Sequence, residues 1–335
     1  MSEMIFSKHF DKAEELMSAL SPWSSFYRDN NLSMFIFRGQ GNSEYKLTPY
    51  ALRETVQKEM INKTKIYLEF YPDDAVSQCI PPIIEYQLIR DFYRQADMQG
   101  LQLPASRTLR NILYEKTELD TMSEWDPDAI WLPEDMLEAA ALAQHYGVPT
   151  RLLDWSYSPF VAAFFATAPA LEGLNTGFRK DGSLCIWGLN TQTVSTMHKA
   201  YKHSKIGTNS YLFPEFPLKI ITPPYNGNPN LAAQQGLFTH WATKPGNIRM
   251  LIKNNTPKDN YGNDLVGQIE NYNNALGFTG IDNTIIKLTL PNTEAEKMAT
   301  YLRQLGYGHS KLFPGYQGVS FELNERVHFQ RKPMK

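Results

Sequence analysis

The chain has little cysteine, no long apolar run and no excess of either charge. Two cysteines, Cys79 and Cys185, stand far apart among 335 residues. They lack any metal-type spacing with histidine or each other. They point to buried thiols in a reducing compartment rather than to a disulfide. Lys and Arg number 33 against 35 Asp and Glu, a net charge of -2 at pH 7. That balance argues against a global basic face for nucleic acid, although it leaves room for a local patch. The opening MSEMIFSKHFDKAEE has no basic segment followed by an apolar one, so no signal peptide is expected. The most apolar stretch, Phe160 to Leu171, is too short to cross a bilayer and reads as a buried helix. A cytoplasmic protein without membrane contact is therefore expected. The sequence also lacks GxxxxGK[ST], GxGxxG after a strand, GxSxG and HExxH. No spacing implies a metal.

Hydrophobic residues make up 42% and aromatics 13%, which fits a globular chain with a sizeable core and rings to spare for a stacking pocket. No internal repeat, low-complexity tract or linker breaks the chain. One composite domain is expected.

Hydrophobic patterning predicts a short helix from Phe10 to Leu20 and a strand from Met34 to Phe37 that ends at Arg38-Gly39, where glycine frees the backbone. A helix is expected over Ile83 to Gln95. The next begins at Pro133, with Glu134 and Asp135 at its positive end, and stops at Tyr146 or Gly147 before Pro149. Ser158-Pro159 opens a further helix. Between these two helices, His145 to Ser156 reads as one turn dense in hydrogen-bonding side chains. Strands are expected at Ser183 to Leu189, Leu218 to Thr222, Leu237 to Trp241, Arg249 to Lys253 and Thr284 to Leu290. A helix from Thr293 to about Leu305 follows, capped by Gly306. The segments Asn254 to Asn274 and Lys311 to Val319 read as loop.

Several side chains point to chemistry, each with a plainer structural alternative. Arg38, at a strand end, can present a planar fork to a phosphate or carboxylate, or pair with a core carboxylate such as Asp154. His145, in a last helical turn, can move a proton near neutral pH, with the helix end favouring its charged form, or merely cap the helix. Asp154 can orient His145 or pair with an arginine. Trp155 can stack on a nicotinamide or base, and Ser156 can bond a ribose hydroxyl. Equally, Arg151, Asp154 and Trp155 can form a salt-bridged corner. Gln234 and Gln235 can read amide or hydroxyl groups but are not acid–base catalysts.

Four segments together resemble the FRG domain family. They are Phe37-Arg38-Gly39, the block AQHYGVPTRLLDWSYSPFVAAFFA from Ala143, Ala233-Gln234-Gln235-Gly236-Leu237-Phe238, and Leu312-Phe313-Pro314 through Gly318. The resemblance spans about residue 30 to 325. It implies an N-terminal helical segment over 1–30, an FRG domain over 31–325 and a tail over 326–335. The family is bacterial and phage-associated, so a toxin or phage-conflict effector is implied.

The order of motifs also resembles the ADP-ribosyltransferases. Those enzymes carry an Arg or His on an early strand that contacts NAD. A Ser-Thr-Ser strand and a helix follow, and a late Glu orients the nicotinamide ribose. By this resemblance the fold is α+β, with an ADP-ribosyltransferase-like split β-sheet core and flanking helices. His145, Asp154 and Gln235 would be catalytic. Arg38, Gly39, Tyr146, Arg151, Trp155, Ser156 and Gln234 would bind NAD or a related nucleotide. Gln stands where the transferases carry Glu, so His145 and Asp154, or a carboxylate such as Glu322, would have to supply the missing charge. Three functions remain open. They are an ADP-ribosyltransferase or NAD glycohydrolase with a protein or nucleic-acid acceptor, a nuclease-like toxin, and a non-catalytic ligand-sensing or protein-interaction module.

Overall fold

The computed structural model describes residues 4–64, 73–111, 113, 131–175, 181–204, 216–242, 264–276 and 282–330. Seven strands form one mixed sheet: β1 (Ile5–His9), β2 (Phe35–Gln40), β3 (Leu152–Ser156), β4 (Ser183–Asn190), β5 (Leu218–Ile221), β6 (Gly236–Trp241) and β7 (Ile285–Pro291). Their order is β1-β7-β4-β2-β3-β6-β5, with β1 and β7 parallel and every other neighbour antiparallel. The fold is thus mixed α+β, with helices on both faces.

Apolar side chains sort by face. Helices Ala13–Ala19, Pro159–Asn175 and Ala295–Gln304 cover one face, where Leu16, Ala163, Met298 and Phe37 pack together. Thr191–Ser204 and Leu265–Leu276 cover the other, around Ile36, Trp155, Met197 and Tyr272. A third cluster, from Asp73–Met98 and Leu137–His145, closes the β3–β6–β5 end around Tyr86, Trp131, Leu152 and Phe238. The central strand β4, SLCIWGLN, is buried over six consecutive residues because both of its faces are covered. Cys185 on it is free and buried, and burial pushes its thiol up to about 12. The side chain of Cys79 lies outside those described.

The pairing is uneven where it matters. Six registers join β2 to β4 and five join β3 to β6. Only Phe37↔Ser156 joins β2 to β3. The sheet splits there into two halves, β1-β7-β4-β2 and β3-β6-β5. The helix Pro159–Asn175 bridges the split on one face. A Cβ on Gly39 would stand 1.9 Å from the Ala162 carbonyl oxygen and 2.5 Å from the Ala166 nitrogen. The glycine of the Phe-Arg-Gly triplet therefore serves close helix approach.

Several sequence expectations need correction. β2 does not end at Arg38-Gly39 but runs on to Gln40, whose side chain accepts from Trp187 Nε1 at 2.8 Å. Gly39 is needed for space, not for backbone freedom. The turn expected between His145 and Ser158 contains β3. The N-terminal segment is not only helical: β1 precedes its helix and pairs with β7, and the helix itself starts at Ala13. Leu265–Leu276 is a helix rather than loop, as are His309–Leu312 and Tyr316–Gln330. The helix expected over Ile83 to Gln95 extends from Asp73 to Met98. The strand expected at Arg249 to Lys253 lies outside the described residues. The helix expected from Pro133 opens with a tight turn over Glu134–Met136, continues as Leu137–His145 and stops as anticipated, with Gly147 at φ 93. Among the described residues no helix is long and apolar enough to cross a membrane, and no cluster of three or more His, Cys, Asp or Glu is placed to hold a metal ion.

Candidate functional site in the split of the sheet

A cavity of about 290 Å³ opens at the split. Arg38 and Gly39 enter it from β2, Asp154 and Ser156 from β3, and Gly236 and Phe238 from β6. The Leu137 helix contributes Gln144 and His145 at its end. The Pro159 helix contributes Val161, Ala162 and Phe165, while Gln234 and Phe313 complete the wall.

Arg38 and Asp154 form the polar centre. Arg38 Nη1 donates to Asp154 Oδ1 at 2.6 Å and to the Asp154 carbonyl at 2.8 Å. The arginine side chain is 11% exposed and that of the aspartate 65%. Arg38 Nε is buried without a hydrogen-bond partner. An unsatisfied buried donor is costly, and a ligand acceptor would relieve it. Crowding by surrounding chain works against ionisation of Asp154. The charge and hydrogen bond of Arg38, its own backbone amide and the charge of Arg53 outweigh that effect, so its pKa lies below the usual carboxylate range. Arg53, set over the Tyr50 ring at 5.5 Å, adds a second guanidinium within electrostatic reach of this pair.

His145 lines the same cavity, half-buried, edge-on to Tyr146 at 5.3 Å. Burial lowers its pKa, opposed by the negative charge of Asp154. The expected preference for the charged form is therefore reversed, because burial outweighs the helix end. A neutral imidazole is the form that accepts a proton.

The other sequence candidates divide. Gln234 lines the cavity, with its Nε2 donating to the Leu312 carbonyl at 3.1 Å. Gln235 is not among the lining residues; it sits exposed in the turn before β6, with φ 48. Tyr146 is also outside the lining, stacked on Phe92 with ring centroids 6.5 Å apart. Ser156 is fully used, donating to the Gln234 carbonyl at 2.7 Å and accepting from the Ser158 amide at 3.0 Å. It locks the corner between β3 and the Pro159 helix. Trp155 is among the residues lining the cavity but packs its indole among Leu153 and Leu237, and its Nε1 donates to Thr239 at 2.8 Å. Glu322 accepts from the Ser310 amide at 3.0 Å and is not among the lining residues.

Arg151 does not join the cavity. It is 2% exposed and meets Glu85, whose Oε1 accepts the Arg151 amide at 2.7 Å and whose Oε2 accepts Nε at 2.6 Å. Trp131 Nε1 donates to the same carboxylate at 3.1 Å. Beneath it, His240 Nε2 lies 3.0 Å from both the Leu132 amide and the Trp131 carbonyl. Sequence reasoning missed Glu85, Arg53 and Gln144. Gln144 precedes His145 directly, and that adjacency was a usable signal. Nothing in the chain pointed across 66 positions from Arg151 to Glu85.

The site is thus a cleft in a split, mixed sheet, centred on an arginine–aspartate pair. Residues 33–173 match the FRG domain model, and this stretch, which carries β2, His145, β3 and the Pro159 helix, is an FRG domain. Gln234, Gly236, Phe238 and Phe313 reach the cleft from chain beyond that match. No curated protein and no solved structure matches the chain.

Proposed function

We propose that the cleft binds NAD or a related nucleotide and transfers or hydrolyses its ADP-ribose, in the manner of an ADP-ribosyltransferase or NAD glycohydrolase. One observation carries this reading. The three segments that resemble the transferase motifs lie far apart in the chain, yet β2, β3 and β6 are consecutive neighbours around one cavity at a split in the sheet. Arg38, with Nε unpartnered, supplies donors for a phosphate. Asp154 is the carboxylate that lines the cavity among the described residues. It takes the part of the absent glutamate, stabilising positive charge on the ribose as the bond to nicotinamide breaks and nicotinamide leaves with the electron pair. His145, neutral, accepts the proton of the attacking water or acceptor hydroxyl.

Calorimetry with NAD, ADP-ribose and a short RNA tests the reading, alongside chromatography of released nicotinamide. Wild type should bind NAD, and Arg38→Ala should weaken it roughly ten- to a hundred-fold. Tight binding of RNA alone would shift the assignment to a nuclease-like toxin. The carboxamides at the third motif favour a second reading, ligand sensing without turnover, which NAD binding without nicotinamide release would establish. In either form, a role as a phage-conflict effector follows from the family resemblance and is part of the proposal.

A further inference from the structure

The side-chain amides of the cleft point to the chemical group it recognises. Gln144 and Gln234 line the same cavity from opposite sources, one a helix end and the other the turn before β6. Each has one end already fixed. Gln234 faces the Leu312 carbonyl at 3.1 Å. A carbonyl can only accept, so the NH2 end is bound there and Oε1 is left as an acceptor. Gln144 is fixed the other way. The Thr150 hydroxyl accepts from the Leu152 amide at 3.4 Å and directs its proton to Gln144 Oε1. The Gln144 NH2 is then left as a donor. The cavity thus offers one free amide donor and one free amide acceptor. The partly buried Phe165 and Phe313, edge to face with ring centroids 6.1 Å apart, line it as well.

We infer that Gln144 and Gln234 recognise a carboxamide carried on a flat ring. Gln144 Nε2 donates to the carboxamide oxygen and Gln234 Oε1 accepts from its NH2, while phenylalanine rings contact the ring itself. This rests on the reading of the cleft as a nicotinamide-nucleotide site and adds which side chains select the carboxamide. A carboxylate in place of the carboxamide has no proton for Gln234 and sets a negative oxygen against its Oε1. The pair therefore selects against the deamidated ligand. Neither glutamine is assigned a role in bond cleavage.

The test compares NAD with its nicotinic acid counterpart by calorimetry, on wild type, Gln144→Met and Gln234→Met. Methionine keeps the length of the side chain and removes the amide. Wild type should prefer NAD by roughly tenfold or more, the value of one or two well-made hydrogen bonds. Gln234→Met should lose roughly tenfold on NAD and little on the acid, Gln144→Met should lose roughly tenfold on NAD and at least as much on the acid, whose negative oxygen takes the same donor, and both should melt near the wild-type temperature. Equal wild-type affinity for the two dinucleotides would overturn the carboxamide assignment while leaving the nucleotide reading intact. So would equal losses on both ligands in Gln234→Met. Absence of wild-type binding to either dinucleotide would overturn both. Should Gln234→Met fail to fold, the wild-type comparison of the two dinucleotides still decides the assignment.

Discussion

Two arginine–carboxylate pairs meet the chain around β3, and they have opposite characters. Arg151 and Glu85 are almost wholly enclosed, at 2% and 1% exposure, and the glutamate also accepts a backbone amide and an indole. Arg38 and Asp154 stand open to a cavity, with a buried donor unused and an exposed carboxylate. Arg151 and Asp154 are three positions apart, on either side of two leucines. The first pair is a structural anchor whose hydrogen bonds knit the helix Asp73–Met98 to the start of β3. The second lines the cavity and is the recognition pair of the proposed function. Similar side chains, close in sequence, are separated in role by whether their remaining polar atoms face protein or cavity.

Substitutions should separate the two pairs. Glu85→Ala should have the largest effect, leaving the Arg151 charge enclosed without its carboxylate, at a cost of about 3–5 kcal/mol. Denaturant unfolding measures it; a loss below about 1 kcal/mol would remove the distinction between anchor and recognition pair. Gly39→Ala comes next. It forces the Pro159 helix off β2 and should cost about 1–3 kcal/mol or more by overpacking. A structure of the variant should show the helix displaced at Ala162; an unmoved helix at wild-type stability would contradict the close-approach account.

Acid should act on the anchor side through His240. Enclosed and near Arg151, its ring is held down to about 3, against 6.5 for a free histidine. Between those values the unfolded chain carries a proton that the folded chain does not. Stability therefore rises with pH across that window and is lost as pH falls, by up to about 1.4 kcal/mol per pH unit for this one group. His145, shifted in the same direction, adds to the slope. Unfolding curves from pH 7 to pH 4 should show the decline, and His240→Asn should flatten it; an unchanged slope would assign acid sensitivity elsewhere. Asp154→Asn should have the smallest effect on stability, less than about 1 kcal/mol, because the carboxylate is exposed and the Arg38 bond to the backbone carbonyl of residue 154 is kept. Nicotinamide release should nonetheless collapse. A variant that unfolds like Glu85→Ala would make both pairs structural.

Some of this was legible in the chain and some was not. The helix ending at His145 was readable because Pro133, Gly147 and Pro149 each act locally on the backbone. β3 was not, because Leu152 packs with one cluster while Leu153 and Trp155 pack with another. Two leucines facing opposite sides erase the alternation that marks a strand. β1 escaped because its outer half, Ser7 to His9, is exposed and its pairing partner lies some 280 positions on. Leu265, Ile269 and Tyr272 do recur at helical spacing and are all buried, so that helix had a signal that the surrounding asparagines obscured. For the site, residue types identified Arg38, His145 and Asp154. They could not separate Arg151 from them, since orientation depends on Glu85, and they put Gln234 and Gln235 together in the site, where the left-handed turn at Gln235 leaves only Gln234 lining the cavity.

The single paired register between β2 and β3 gives Arg38 a second duty. Its Nη1 bond to the Asp154 carbonyl spans the gap where a ladder hydrogen bond is missing, so a side chain acts as a suture between the half-sheets. Any anion that draws the guanidinium toward itself competes with that suture. Thermodynamic reciprocity then ties ligand affinity to the width of the seam: whatever clamps the halves together changes binding by the same free energy with which binding changes the clamp. Amide exchange along β3, followed with and without ligand, would read that coupling directly.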